Sequence, residues 1–182
     1  SIRGTPYLII LEFGVPELEN AKGNTDMEIV YSKISDFDDW LSLSREVEPL
    51  FGPMADESGF QDALKQAISL NTAFCIRTES DGTNKKLIGG IVVSKDSNEI
   101  AWFAVSQRYQ RNGYGRKLIE FAINKLNTKE KINAQTFNES VPEGKSARKL
   151  YMELGFKDIK DAGLNPAGIP TVIMQLNETE FI

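Results

Sequence analysis

The stretch that decides the fold is IAWFAVSQRYQRNGYGRKLIEFAINKL, residues 100–126. It opens with an apolar run typical of a strand and closes with apolar residues at the spacing of an amphipathic helix. Between them stands QRNGYG, residues 110–115, with two glycines one residue apart. The first turn of a helix leaves backbone N–H groups without intrahelical acceptors, so this elbow between strand and helix is a place where a ligand can bind.

The elbow predicts an anion site, most plainly for phosphate. A helix N-terminus carries partial positive charge, and glycine lets a ligand approach the backbone closely. The same short segment contains three arginines, Arg108, Arg111 and Arg116, in a chain whose net charge is −5. The alternative is a glycine-rich turn with a solvated basic surface.

Two other phosphate motifs are excluded. A dinucleotide-binding fingerprint needs a third small residue where Leu118 stands. The sequence EGKS at 143–146 resembles the end of a P-loop, but Glu139 occupies the position of the required leading glycine. This second segment is therefore interpreted as a loop that enters a helix.

Patterning along the rest of the chain predicts alternating strands and helices. The predicted order is β-α-α-β-β-β-α-β-α-β-β, which indicates one mixed sheet covered by helices. Pro49 and the following FGP predict the end of the first helix, and SDGTNK at 80–85 predicts a hairpin-type connection. Strands are predicted at 27–34, 72–78, 86–94, 98–105, 132–137 and 169–176. The predicted helices begin at Ser35 or Asp36, at Asp56, near 114 and at 145.

Composition fits one soluble globular domain, with 182 residues, 41% hydrophobic and 26% charged. The single cysteine, Cys75, lies in a predicted strand and is expected to be a core residue of a protein from a reducing compartment, the cytoplasm. The absence of histidine excludes His-based triads and His-containing zinc sites, and no metal is predicted. The acidic balance argues against nucleic acid as a partner, and no apolar run is long enough to cross a membrane.

Residues 1–26 are interpreted as an N-terminal extension of unknown role, because Met27 opens the first clean strand of the domain at 27–182. The sequence YLIILEF within the extension is itself strand-like. One alternative is that the extension serves assembly, for example by adding a strand across a homodimer.

Three segments together resemble the GNAT superfamily of N-acetyltransferases. QRNGYG fits its Q/R-x-x-G-x-G/A pattern, SARKLYMELGF at 146–156 fits A-x-x-L-Y-x-x-x-G-F, and EIAWFAV at 99–105 resembles the strand before the elbow. The resemblance covers about 27–177. It implies an α/β fold (α+β mixed), with a central mixed, mostly antiparallel sheet flanked by about four helices, and acetyl-CoA as co-substrate.

The resemblance also implies a set of cofactor-binding residues. The elbow would hold the pyrophosphate, and the strand before it would splay from the next strand and pair its free backbone groups with the pantetheine arm. The implied residues are Phe103, Ala104 and Val105 on the strand, Gln110, Arg111, Asn112, Gly113, Tyr114, Gly115 and Arg116 at the elbow, and Asn138 at the end of the next strand.

Acetyl transfer to an amine requires one group that takes a proton and another that gives one. A lysine-like amine has a pKa of ~10.4, so a base should help to deprotonate it, and a proton donor helps the thiolate to leave. The resemblance makes Tyr151 the donor and Glu99 the base. The alternatives are that Tyr151 only packs in the apolar stripe of its helix, and that Glu99 is an exposed residue at a strand start while a water chain acts as the base.

The predicted function is direct transfer of an acetyl group from acetyl-CoA to a primary amine on a small molecule or a peptide. Phe51 and Met54, in the segment that follows the first helix, are candidates to line the acceptor site, and a small satellite core is the alternative for each. A different class of function is a non-catalytic module that binds or senses acyl-CoA. Keeping a tyrosine at the donor position favours the enzyme.

Overall fold

Eight strands form one sheet in the part of the chain that the computed structural model describes, residues 10–11, 27–78 and 86–177. The strands are β1 (Ile10–Leu11), β2 (Ile29–Tyr31), β3 (Ala73–Arg77), β4 (Leu87–Ser94), β5 (Glu99–Val105), β6 (Ile132–Phe137), β7 (Lys157–Leu164) and β8 (Pro170–Leu176). The α-helices are α1 (Phe37–Phe51), α2 (Ser58–Ser69), α3 (Tyr114–Lys125) and α4 (Lys145–Glu153), and short 3-10 helices cover Ile34–Asp36, Gln107–Tyr109 and Pro142–Gly144.

The sheet is mixed and mostly antiparallel, as predicted. Its strands run in the order β2-β3-β4-β5-β6-β8-β7, and β1 pairs with β5 off this path. The pairs β5–β6 and β1–β5 are parallel, whereas the remaining neighbours are antiparallel. Together with the four helices this confirms the predicted single-domain α/β architecture and the predicted order of elements from β2 onward.

The two faces of the sheet carry separate cores. Trp40, Phe51 and Trp102 belong to the core on the α1 and α2 face, and Phe103 and Tyr151 belong to the core on the α3 and α4 face. Alternation along β5 explains the division, because successive side chains of a strand point to opposite faces. Strand β5 thus contributes to both cores, and its end delivers the chain to the elbow.

A close approach between α1 and β4 explains one of the paired glycines in the strand sequence LIGGIVVS. A Cβ atom added to Gly90 would lie 2.3 Å from the ring of Trp40, which is fully buried. The Trp40 ring also packs at 5.3 Å from Trp102, and its indole N–H donates to Ser32 Oγ at 3.0 Å. Position 90 therefore needs glycine, because the Trp40 ring occupies the space that any side chain there would need.

Helix α1 differs from its prediction, because it continues through Pro49 to Phe51. Proline removes one backbone donor from the helix, but Phe51 is buried and stacks on Phe137 with ring centroids 5.5 Å apart. That contact holds the last turn in place, and Gly52, with φ +93°, ends the helix by donating its N–H to the Glu48 carbonyl at 2.8 Å.

The predicted helix caps also differ in detail. Helix α1 begins directly after Asp36, but this carboxylate accepts from the Lys33 N–H at 2.7 Å and pairs with Arg77 instead of capping the helix. Helix α2 begins at Ser58, and Asp56 pairs with Arg45 at 2.9 Å. Strands β3 and β4 are antiparallel neighbours, as a hairpin requires, although the predicted turn at 80–85 lies outside the described residues.

Candidate active site

Strands β5 and β6 separate near the middle of the sheet. They pair in register only at Glu99 with Asn133 and at Ile100 with Ala134. Beyond Ile100, β5 stays paired with β4 as far as Val105, and β6 stays paired with β8 to its end. The result is a wedge between two parallel strands, with the backbone edges of both facing into it.

The elbow after β5 is built by short-range hydrogen bonds. The side-chain amide of Gln110 donates to the Val105 carbonyl at 3.0 Å, and that of Asn112 donates to the Tyr109 and Gln110 carbonyls at 3.1 and 3.0 Å. Arg111, with φ +62°, takes the left-handed conformation that completes the turn. These contacts hold the loop so that the N-terminus of α3 follows directly from the end of β5.

Gly113, a residue of the predicted anion site, lies at the N-cap of α3. Its φ is +81°, and an added Cβ atom would meet nothing within 4 Å. No side chain of the described residues caps this helix, so the N–H groups of its first turn are left for another acceptor. A Cβ at this position would occupy the open space beside those N–H groups.

The three predicted arginines have different surroundings. Arg116 forms ion pairs with Glu120 on its own helix and with Glu153 on α4, so it links the two helices. Arg108 and Arg111 are exposed, and neither forms an ion pair with any residue in the described ranges. The elbow therefore carries positive charge, and two of its three arginines, Arg108 and Arg111, have no acidic partner among the residues described.

Tyr151 lies on α4 and is completely buried. Its ring packs edge-on against Phe156 at 5.0 Å, as its place in the apolar stripe predicts. Its hydroxyl has no hydrogen-bond partner in the described part of the chain, and burial raises the pKa of the phenol well above 10. The phenol is therefore protonated throughout the neutral range, and its O–H has no acceptor among the described residues.

Three more buried polar atoms lack partners within residues 27–78 and 86–177, namely Trp102 Nε1, Gln110 Oε1 and Thr136 Oγ1. They belong to β5, the elbow and β6, which border the wedge together with the α4 helix of Tyr151. Native structures leave few buried polar groups unpaired, and each such group calls for a reason. The Trp102 side chain belongs to the core on the α1 and α2 face and the Tyr151 side chain to the core on the α3 and α4 face, so these two atoms lie on opposite faces of the sheet.

Helix α4 is fixed on the sheet by Arg148. This buried guanidinium makes two hydrogen bonds to the Asp158 carboxylate, at 2.9 and 3.1 Å, and a third at 3.3 Å to the Phe137 carbonyl. Phe137 ends β6 and Asp158 lies on β7, so one side chain joins three elements. Because Tyr151 follows three residues later on the same helix, Arg148 also fixes where its hydroxyl lies.

Glu99 lies in the paired part of β5, half-buried, between Ser94 of β4 and Asn133 of β6. Phe103 is four residues further along the strand, roughly 13 Å away at ~3.3 Å per residue. The structure thus places Glu99 before the point where the strands separate, and its role as a base stays a prediction.

The other predicted residues occupy structural positions. Asn138 is half-buried after β6, where its side-chain oxygen accepts from the Ser140 N–H at 3.0 Å. Phe51 and Met54 are buried in the core on the α1 face, and the Met54 N–H donates to the Glu48 carboxylate at 3.0 Å. Their assignments to cofactor and acceptor stay predictions, and the core interpretation of Phe51 and Met54 matches their burial.

Glu46 was not among the residues predicted for the site. Its carboxylate accepts from the Ser106 hydroxyl at 3.0 and 3.2 Å and from the Gln107 N–H at 3.3 Å, which ties α1 to the first turn of the elbow. It also lines a cleft of about 560 Å³ between α1 and the end of β5, together with Asp39, Lys86 and Arg108. Sixty residues separate Glu46 from Ser106, so no local pattern could have indicated the contact.

Three further observations concern the cysteine, metal ligands and membrane spans. Cys75 is fully buried, and burial raises the pKa of its thiol above the usual value, as expected of a core residue. No group of three or more potential metal ligands occurs among the residues that the structure describes. No helix in these ranges is long and apolar enough to span a bilayer.

Comparisons with known proteins identify the fold. The sequence model of the family described as "Acetyltransferase (GNAT) domain" matches residues 53–178. No curated protein sequence matches the chain. Members of this family use acetyl-CoA.

Three solved structures illustrate the likeness. The chain is 22% identical to a chain of the NatC complex bound to Gag peptide and CoA, with a TM-score of 0.63 over 84% of this chain and 100% of that one. It is 17% identical to a Salmonella typhimurium chain classed as an acetyltransferase and solved with its cofactor acetyl-CoA, with a TM-score of 0.61 over 87% of this chain and 97% of that one. It is 18% identical to spermidine N-acetyltransferase from Vibrio cholerae in complex with CoA and spermine, with a TM-score of 0.59 over 85% of this chain and 97% of that one. With the family match covering more than half of its length, the chain belongs to the GNAT family of acetyltransferases.

Proposed function

We propose that this protein is an acetyl-CoA-dependent N-acetyltransferase that transfers the acetyl group directly to a primary amine. The observation that carries the proposal is the Tyr151 hydroxyl, a buried and protonated donor without a partner among the described residues, on the helix that borders the wedge between β5 and β6. A residue with only a packing role would need no hydroxyl there.

The elbow and the strand before it would hold the cofactor. Backbone N–H groups from Gln110 to Arg116 suit a pyrophosphate, because Gly113 leaves open space beside the first turn of α3 and two exposed arginines stand nearby. The edge of β5 at Phe103, Ala104 and Val105 suits the amide groups of a pantetheine arm, since β6 does not pair with it there. Acetyl-CoA supplies a thioester whose carbonyl carbon an amine can attack.

Tyr151 would act as the general acid. Because burial raises its pKa, the phenol is protonated in the neutral range, and it can donate to the sulfur as negative charge develops there. Arg148 supports this role as a positioning residue through its contacts with Asp158 and Phe137.

The acceptor amine would lose its proton to Glu99 through intervening water, or to water alone. Neutralising a lysine-like amine at pH 7 costs roughly 4–5 kcal/mol, which is the gap that a base reduces. The half-buried position of Glu99, roughly four residues before the predicted cofactor contacts at ~3.3 Å per residue, makes a water relay the geometrically simpler route.

The acceptor is proposed to be a primary amine on a small molecule or a peptide. Two structural relatives hold a peptide and spermine respectively, which are both amine-bearing ligands. The net charge of −5 agrees with a cationic partner. The cytoplasm is the proposed location, because a single buried cysteine suits a reducing compartment.

The competing proposal is a module that binds acyl-CoA without turnover, which the exposed elbow alone would satisfy. The test is a panel of polyamines, amino acids, aminoglycosides and peptides with free N-termini or lysines, in which thiol release from acetyl-CoA is followed. The enzyme is supported if turnover of any acceptor falls by about 10²-fold or more in Tyr151→Phe but is kept in Tyr31→Phe, a change on an exposed edge strand. Tight acetyl-CoA binding without turnover of any acceptor supports the sensor.

A further inference from the structure

The short strand β1 occupies the wedge itself. Ile10 and Leu11 pair in parallel with Phe103 and Ala104 of β5. The same two residues lie against β6, α4 and the 3-10 helix Pro142–Gly144. Strand β1 therefore sits between the separated ends of β5 and β6, on the side from which α4 approaches.

The edge that β1 uses cannot serve two partners at once. Phe103 and Ala104 already pair with Ile91 and Gly90 of β4 on their other side. Each strand residue has one backbone N–H and one C=O, so the remaining edge of β5 is a single row of donors and acceptors. A pantetheine arm carries two amide groups and hydrogen-bonds as a short extended peptide does, so it needs that same row.

We infer that strand β1, Ile10–Leu11, is an internal occupant of the cofactor groove, and that it competes with the pantetheine arm of acyl-CoA for the backbone of Phe103 and Ala104. The inference rests on the proposed function. Residues 12–26 join the segment to the domain covalently, and a tethered ligand reaches effective concentrations on the order of millimolar. The apparent affinity for acyl-CoA is then the intrinsic affinity reduced by the fraction of time for which the groove is open.

A disulfide lock tests whether the two occupants exclude each other. Leu11 and Ala104 are register partners, and neighbouring strands lie ~4.8 Å apart, within the Cα separation that a disulfide spans. In the Leu11→Cys, Ala104→Cys protein, the oxidised form is expected to lose acetyl-CoA binding and the reduced form of the same sample to regain it, as measured by calorimetry. The single Ala104→Cys protein provides the baseline for the altered groove.

Either failure of the lock is decisive. A disulfide that does not form under oxidation would show that the pairing is not populated, and an oxidised protein that binds acetyl-CoA as well as the reduced one would show that the groove is not shared. Both results would overturn the inference.

A second variant opens the groove instead of locking it. Proline has no backbone N–H to donate to a ladder, and two prolines in succession leave neither residue with a donor toward β5, so Ile10→Pro with Leu11→Pro should release β1. We expect the Kd for acetyl-CoA to fall by on the order of tenfold or more, as the closed fraction is removed. The pair Ile10→Ala with Leu11→Ala keeps both N–H groups and should give a smaller gain. An unchanged Kd in the proline variant would overturn the inference.

The two experiments separate this inference from the proposed function. If acetyl-CoA binds equally well to the locked, released and wild-type proteins, the proposed function stands and only the competition is wrong. If neither the reduced nor the proline protein binds acetyl-CoA, the proposed function fails, and the competition fails with it.

Discussion

Strand β5 meets β4 and β6 in different ways. Against β4 it is paired from Glu99 to Val105, while against β6 the pairing ends at Ile100. On the β4 side a tryptophan fills the space left by a glycine, so that edge serves packing. On the β6 side the edge of β5 beyond Ile100 pairs only with the short strand β1 among the described residues, and the buried Tyr151 hydroxyl there has no partner in those residues. Changes on the first side should cost stability, and changes on the second should cost chemistry.

The largest expected effect is on the β6 side. Tyr151→Phe removes one hydroxyl that has no partner in the described part of the chain, so the free energy of unfolding and the acetyl-CoA affinity should barely change. The turnover rate should fall by about 10²–10⁴-fold, the usual cost of losing a general acid. Steady-state kinetics on a verified acceptor, beside Tyr31→Phe, measures it. Undiminished turnover would show that the Tyr151 hydroxyl has no part in catalysis and that the side chain serves only packing.

Gly113→Val should remove acetyl-CoA binding, because the new side chain would fill the open space at the start of α3. Valine at positive φ is also strained, by roughly 1–2 kcal/mol, so a control with the same strain is needed. Gly163→Val provides it, since Gly163 has φ +75°, has open space around its Cβ position, and lies on edge strand β7. The rise in Tm with acetyl-CoA should vanish in the first variant only. A normal rise in Gly113→Val would remove the cradle from the proposal.

Gly90→Ala tests the β4 side. The added methyl group would lie 2.3 Å from the buried Trp40 ring, and overpacking of this kind costs about 1–3 kcal/mol. Gly59→Ala, on α2 with nothing within 4 Å, should instead stabilise by up to about 1 kcal/mol through helix propensity. Denaturant melts measure both. A loss of turnover in Gly90→Ala, at a temperature where it is folded, would break the division between the two edges.

The raised pKa of Tyr151 predicts a pH effect on stability. Unfolded tyrosine ionises near pH ~10 while the buried phenol stays protonated, so the folded state binds more protons above that pH. Stability should therefore fall as pH rises above ~10, by up to about 1.4 kcal/mol per pH unit for this group. Tyr151→Phe should show a shallower loss in chemical denaturation between pH 10 and 11. Parallel slopes for the two proteins would contradict the burial of the phenol.

The smallest expected effect is that of Glu99→Gln. If Glu99 helps to deprotonate the acceptor, the variant should lose most activity at low pH and little at high pH, where the amine is already neutral. The effect should be smaller than that of Tyr151→Phe, because Glu99 lies before the strands separate. The pH profile of kcat/KM measures it, and an unchanged profile would leave water as the base.

Sequence patterns predicted the local parts of this molecule well. The elbow, the order of elements and the burial of Cys75 follow from periodicity and residue type, which depend on neighbours in the chain. The course of α1 through Pro49 was not predicted, because the contact that holds its last turn is with Phe137, on a distant strand.

The parts that sequence could not supply are contacts between distant residues. The bond from Ser106 to Glu46, the fit of Trp40 against Gly90, and the pairing of β1 with β5 each join residues far apart in the chain. Phe51 and Met54 follow the same rule, since an apolar residue near a loop has the same pattern whether it lines a site or fills a core.

Cys75 has a consequence for how the protein can be measured. The chain has one thiol, which is fully buried on β3, so a thiol-reactive dye should report almost none of it while the protein is folded. Coenzyme A released by turnover then stands out against a near-zero background, even at enzyme concentrations high enough to count the first turnover. In the absence of cofactor the same dye reads one equivalent per unfolded chain, which makes the residue a built-in reporter of how often the domain opens.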